Sequence, residues 1–365
     1  MKKIISIIML LLILTGCNKS NEKMQGGINE KYNKKLNISE KIEPIGLYNN
    51  YYIYMENKKS MNDTGDYDFW KYNVKTDKKA KLGSILNATT TSATYAFLNN
   101  KIYFSYGSVE NNKEVNNQYE IDLDNNTMRI ISKNQMFPPM IMYANINEEK
   151  YLQLQPEFYG TDDYIYHLRI GDCKGNVEEV IKAKTNPLPQ KSRMITSMCA
   201  WENLIYTVEY EGKKDDYKRY ICIYDENLKL ISKENIKELD DFLLQKNNGG
   251  IAETLWEIKV FKNYYYFSTL SNRSLVLKKN GNFYERVNYE DTERLRLITS
   301  SKALFHQNNF LFYDMNAEKY IIFDSDTGKY RDFITDNCKG ITGVTDGEKM
   351  VYINGENEIW CKSYN

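Results

Sequence analysis

One short pattern recurs through the 365-residue chain: a pair of turn-forming residues followed by an alternating run of aromatic and aliphatic side chains. It reads Asn49-Asn50-Tyr51-Tyr52-Ile53-Tyr54 and Asn99-Asn100-Lys101-Ile102-Tyr103-Phe104. It returns at Glu149-Lys150-Tyr151-Leu152, Glu202-Asn203-Leu204-Ile205-Tyr206, Lys262-Asn263-Tyr264-Tyr265-Tyr266-Phe267, Asn308-Asn309-Phe310-Leu311-Phe312 and Gly347-Glu348-Lys349-Met350-Val351-Tyr352. The copies fall roughly every 40 to 60 residues, a spacing that marks repeat architectures. Apolar residues that alternate with period two belong to strands, and flat aromatic side chains suit a pleated, half-buried surface. The 31 tyrosines and 14 phenylalanines supply that surface.

Each copy carries the same surroundings. An apolar stretch precedes the turn, as in 93–98, 195–200 and 255–260, and a third strand follows, as in 119–123 or 320–323. A turn rich in Asp, Asn, Lys and Gly comes next, such as Asp124-Asn125-Asn126 or Asp225-Glu226-Asn227, then a fourth strand such as 128–131 or 228–232. Those turn residues tolerate the positive φ of tight hairpins. Four antiparallel strands per repeat predict an all-β chain folded as a β-propeller. Seven four-stranded blades are expected, with six as the alternative. The last copy has only three strands, so the ring is expected to close by borrowing an N-terminal strand, Lys35–Ser39, which also removes an exposed edge.

The first residues are organised differently. A basic Met1-Lys2-Lys3 leads into an apolar run from Ile4 to Leu14, too short to span a bilayer but suited to a signal-peptide core. It ends in Leu14-Thr15-Gly16-Cys17, which resembles the bacterial lipobox. That resemblance implies a lipoprotein whose signal peptide, residues 1–16, is removed and whose Cys17 carries the lipid that binds it to a membrane. Residues 17–34 then read as a polar, flexible tether and 35–365 as the propeller. The repeat period and strand grammar over 35–365 resemble those of YWTD-type and TolB-like propeller proteins, without the YWTD tetrapeptide itself.

Lysine plus arginine and aspartate plus glutamate number 49 each, so there is no net basic charge to displace counterions, and nucleic acid is not expected as a partner. Only two histidines, His167 and His306, occur, and neither has a cysteine, a second histidine or a GxSxG serine nearby. No CxxC, P-loop or calcium-loop spacing is present, so no catalytic residue, metal or cofactor is predicted. Cys173, Cys199, Cys222, Cys338 and Cys361 are an odd set that cannot all pair within the chain, and they read mainly as buried structural thiols.

Candidate ligand contacts are the residues that depart from the repeat. The segments between second and third strands are long in the first four copies (56–68, 107–118, 155–163, 209–218), and they are expected to form loops that build up one face. Tyr159 and the acidic pairs Asp162-Asp163 and Asp215-Asp216 lie in them, and Trp201 and Trp256 occupy first strands, which line a propeller's channel. Ile236, Leu239, Phe242, Leu243 and Leu244 predict a short amphipathic helix that caps a blade edge. The expected function is a non-catalytic, membrane-anchored binding or scaffold protein for a protein or carbohydrate ligand, outside the cytoplasm. Its Lys-, Asn-, Ile- and Tyr-heavy composition suits a Gram-positive source. The rival is a propeller hydrolase or lyase with acidic residues around the channel.

Overall fold

The computed structural model describes residues 32–38, 42–61, 64–89, 94–134, 141–159, 163–174, 176–184, 192–213, 216–244, 255–287, 289, 293–298, 307–335, 338 and 340–364. Residues 1–31, which include Cys17 and all but the last three residues of the expected tether, therefore lie outside the described residues.

The recurring motif is a two-residue hairpin. Asn49 and Asn50, Asn99 and Asn100, and Glu202 and Asn203 all have positive φ, between 43° and 65°. That is the backbone twist a two-residue turn needs to join right-twisted strands, and asparagine adopts it at little cost. The turns also bind their neighbours. Asn49 Nδ2 donates to Asn100 Oδ1 at 2.8 Å, and Asn147 Nδ2 donates to Asn203 Oδ1 at 3.0 Å. Asparagine thus recurs both for its backbone and for its amide.

The strands assemble into a β-propeller of antiparallel sheets. Separate four-stranded sheets cover 142–184, 192–234, 255–286 and 295–334, and a fifth joins 344–363 to Asn33–Lys35. Residues 42–134 form one eight-stranded sheet. The expectation of seven blades, or six, is thus corrected to five separate four-stranded blades. The physical reason is that Ala88 pairs with Ser108, which joins the outer strand Lys79–Ala88 to Lys101–Glu110 and fuses the first two repeats.

The inner strands of each sheet bury both faces, because a sheet lies against each side. All of Tyr264–Thr269 is buried, whereas the outermost strand Phe283–Arg286 is almost entirely exposed. The core therefore sits between sheets. Leu152, Leu154 and Leu168 pack against Ile195, Ala200 and Ile205 of the next sheet, and Phe261 stacks on Phe310 at 4.0 Å between ring centres. Leu47, Tyr52 and Tyr54 from the start of the chain meet Val351, Ile359 and Cys361 from its end.

The closing strand is Asn33–Lys35, two residues before the expected start. It pairs antiparallel with Ile359–Ser363, and Leu36 N–H extends the ladder to Ile359 O at 2.7 Å. Lys34 also reaches Asp77 at 2.9 Å, in the first repeat.

A second correction concerns the four long segments. They are not irregular loops but extended hairpins: Glu56 pairs with Asp68, and Ser108, Val109 and Glu110 pair with Val115, Glu114 and Lys113. The polar residues there alternate as well as the apolar ones, so the ladder simply continues. The predicted helix is present as Lys237–Leu244, with Leu239, Phe242 and Leu243 buried and Leu244 exposed. It packs against Leu255 and Leu275 of the following sheet, and Arg273 lies over the Phe242 ring.

Candidate functional site

Strand direction divides the propeller into two faces. First-to-second-strand turns and third-to-fourth-strand turns share one face, as shown by Leu123 N–H donating to Asn100 O at 2.8 Å and Lys279 N–H to Asn263 O at 2.7 Å. This is the turn face. The second-to-third-strand hairpin tips lie on the opposite side, the tip face.

A cleft of about 260 Å³ opens at the tip-face end of Leu255–Phe261. Leu255 pairs with Thr269 but Glu257 pairs with Ser268, so Trp256 is an extra residue with no partner across the ladder. Such a bulge re-aims its side chain. Trp256 is accordingly 42% exposed and forms one wall. The same irregularity occurs at Ile45, between Pro44 and Gly46, and at Thr196, between Ile195 and Ser197. The bulge is a feature of the repeat; tryptophan in it is particular to this copy.

Glu257, Ser268, Asn272, Arg296 and Met315 complete the wall that matters chemically. Glu257 Oε1 is 3.3 Å from Lys259 Nζ, which offsets its charge. Arg296 stands exposed between buried Leu295 and Leu297 and has no ion pair among the described residues. Its strand is held in place by Tyr266, whose hydroxyl donates to Leu295 O at 3.1 Å and accepts from Leu297 N–H at 3.2 Å. The cleft thus offers an aromatic face, an uncommitted guanidinium and small polar groups, a set suited to orienting a bound ring that carries an anionic group.

A charged staple steadies the approach to Arg296. Glu293 accepts from Arg273 at 2.6 Å and from Arg286 at 2.7 Å, and Ser274 N–H donates to Glu293 O at 2.5 Å. Burial by itself would raise the Glu293 carboxyl, but the hydrogen bonds from Arg286 and Arg273 outweigh it and hold the group below its ordinary value of 4.5. A carboxyl lowered in this way stabilises the folded chain fully above its unfolded value, and the contribution disappears as pH falls through the lowered one. Glu293→Gln should therefore unfold at lower urea than the parent at pH 7. The gap in urea midpoint should narrow as the pH falls below the ordinary glutamate range and Glu293 takes up a proton. A gap independent of pH would contradict the ionised staple.

The sequence-derived candidates fall in different places. Trp201 is 4% exposed, packs in the core with Val260 and Phe261, and sits at the opposite end of its strand, beside the Glu202-Asn203 turn. Trp256 lines the cleft. The backbones of Tyr159 and Asp163 pair with each other at one hairpin tip, and Asp216 pairs with Lys213 at the next. The side chains of Tyr159, Asp163 and Asp216 lie outside the described residues, as do Asp162, Asp215 and His306 altogether. His167 is buried in Asp163–Asp172, its backbone paired with that of Gln155. Among the described residues no three His, Cys, Asp or Glu side chains converge as metal ligands, and Cys173, Cys199, Cys222, Cys338 and Cys361 form no disulfide. Burial pushes the thiols of Cys199 and Cys361 up to about 12, which leaves them unreactive.

Sequence reasoning missed Arg296, Glu257, Ser268 and Asn272. One signal was available: Leu295-Arg296-Leu297 alternates like a strand, with a charge where the next sheet begins.

Two comparisons bear on this architecture, while a search of the curated proteins returns no match. The fold is similar to that of an oligogalacturonate lyase from Vibrio parahaemolyticus, at 12% identity, a TM-score of 0.52, and coverage of 89% of this chain and 92% of that one. It is also similar to an oligogalacturonate lyase solved in complex with manganese, at 9% identity and a TM-score of 0.50, covering 91% and 98% of the two chains. At such identities the likeness is one of fold. No helix among the described residues is long and apolar enough to cross a membrane. Residues 1–18 match the prokaryotic membrane lipoprotein lipid attachment site, so the chain is a lipoprotein with a β-propeller body.

Proposed function

We propose that this lipoprotein is a non-catalytic binding protein that holds an acidic carbohydrate in the Trp256 cleft, outside the cytoplasm. The observation that carries the reading is the bulged, half-exposed Trp256 beside an Arg296 that nothing else among the described residues neutralises. An indole face stacks on the C–H face of a sugar ring, and a guanidinium matches a carboxylate in two parallel hydrogen bonds. In this reading residues 1–16 are cleaved, Cys17 carries the lipid, and the outer leaflet of a Gram-positive cytoplasmic membrane is the address. The propeller then begins at the pairing of Asn33 rather than at residue 35.

The likeness in fold to two oligogalacturonate lyases also fits a second reading, in which the cleft cleaves an acidic oligosaccharide. Incubation with oligogalacturonate separates the two. Saturable quenching of tryptophan fluorescence without a new ultraviolet absorbance supports binding alone. Growth of the absorbance that an eliminated, unsaturated uronate acquires would replace it with a lyase.

The anchor has its own test. Cys17→Ala should shift the protein from the membrane fraction to the medium or leave it unprocessed, because acylation and not the propeller supplies stable attachment. Undiminished membrane retention of correctly processed protein would defeat that assignment.

A further inference from the structure

We infer that the turn face of the propeller rests on the lipid bilayer, with Val177, Leu230 and Phe283 in contact with lipid, so that the Trp256 cleft points away from the membrane. The first observation is where the anchor enters. Asn33–Lys35 is the outermost strand of the closing sheet and runs antiparallel to Ile359–Ser363. Tyr32 N–H donates to Ser363 Oγ at 2.8 Å, at the end of that partner strand. The next residue, Tyr364, donates its N–H to Glu348 O at 2.9 Å, in a first-to-second-strand turn. The chain coming from Cys17 therefore enters at the turn face. The stretch from Cys17 to Tyr32 spans at most about 50 Å fully extended, so the body cannot stand far from the bilayer.

The second observation is independent of the first. Val177, Leu230 and Phe283 are each the first residue of the outermost strand in three consecutive sheets, directly after the third-to-fourth-strand turn. All three lie on the rim of the turn face, Val177 opposite Gly171 and Leu230 opposite Tyr224 at matching rungs, and Phe283 further out at the hairpin tip opposite Asn280. All are exposed, Phe283 to 79%. Single exposed apolar residues need no explanation, but bare apolar side chains beside the same turn in three neighbouring sheets, all on one face, do. The turns beside them carry both signs of charge, Glu202, Asp225 and Glu226 against Lys174, Lys229 and Lys262, so attraction to anionic headgroups is not the force. Apolar contact with the interface is, and a neutral bilayer suffices. The cleft lies at the opposite end of Leu255–Phe261 from the Lys262-Asn263 turn, hence on the face turned outward.

The inference rests on the lipid attachment and not on the identity of the ligand. It is tested by amide hydrogen exchange on the lipidated full chain, in phosphatidylcholine vesicles against detergent micelles. Peptides covering 225–232 and 281–286 should exchange at least about threefold more slowly on vesicles, whereas 269–274 at the cleft should be unchanged. Phe283→Ser with Leu230→Ser should remove that protection while leaving the chain membrane-bound through Cys17. Both side chains are exposed, so the fold should survive the change. Protection at 269–274 instead, or no protection on either face, would overturn the orientation.

Discussion

Replacing Leu36 with alanine should lower the stability of the whole ring by about 2–5 kcal/mol, the usual cost of emptying a fully buried leucine site. Leu36 is 1% exposed and packs among Leu47, Tyr54, Val351 and Ile359, where the two ends of the chain meet. Its N–H also donates to Ile359 O, so the side chain and the last rung of the closing ladder fail together. A propeller that loses this strand presents Ile359–Ser363 as an unpaired edge, which invites association with other chains. The variant should therefore unfold at a lower denaturant midpoint and also aggregate during refolding. A control substitution at exposed Leu86, in Lys79–Ala88 elsewhere on the ring, should do neither. An unchanged midpoint for Leu36→Ala would mean that Asn33–Lys35 adds little to closure.

How much of this is legible in the sequence follows from how local each cause is. The hairpin turns are set by two residues, so Asn99-Asn100 and its siblings are visible at once, and with them the repeat. Closure is legible because the last repeat lacks a strand, though its register slips by two residues. Asn33-Lys34-Lys35 is wholly polar and carries no strand signal of its own, so only its pairing with Ile359–Ser363 reveals it. Blade separation is not legible. One pairing, Ala88 with Ser108, fuses two repeats, and neither residue differs in type from those that leave sheets apart. The long polar segments pass for loops because their buried positions are filled by polar residues such as Ser108, Asn116 and Asn117, which carry no apolar alternation. Asn111 and Asn112, with φ of 51° and 59°, repeat the very turn signature that marks the other hairpins. The cleft is half legible. Tryptophan in a first strand stands out, but Trp201 abuts its turn and is buried, whereas Trp256 lies at the far end of its strand, where a bulge that the sequence does not announce exposes it.

Substitutions at Trp256 and Arg296 should have the largest functional effects, and they should differ in kind. Trp256→Ala removes the aromatic wall, and truncating a central aromatic anchor commonly costs about 2 kcal/mol or more, which is about a 30-fold loss of affinity. The loss should be similar for acidic and neutral oligosaccharides, because stacking reads the ring face and not its charge. Stability should hardly change, since the side chain is half exposed and belongs to no core cluster among the described residues. Arg296→Gln should act otherwise. A hydrogen bond to a charged group is worth about 1.5–3 kcal/mol, so affinity for a uronate should fall by an order of magnitude or more while a neutral sugar is bound as before. Arg296→Lys should recover only part of the loss, because an ammonium cannot make the two parallel contacts of a guanidinium. Calorimetric titration of the three variants with matched galacturonate and galactose oligomers reads all of this at once. If Arg296→Gln weakened both sugars equally, the guanidinium would be supporting the cleft wall and not recognising the ligand's charge. If Trp256→Ala changed neither, the ligand would bind elsewhere, and the extended hairpins that carry Tyr159, Asp163 and Asp216 on the same face would be the next place to look.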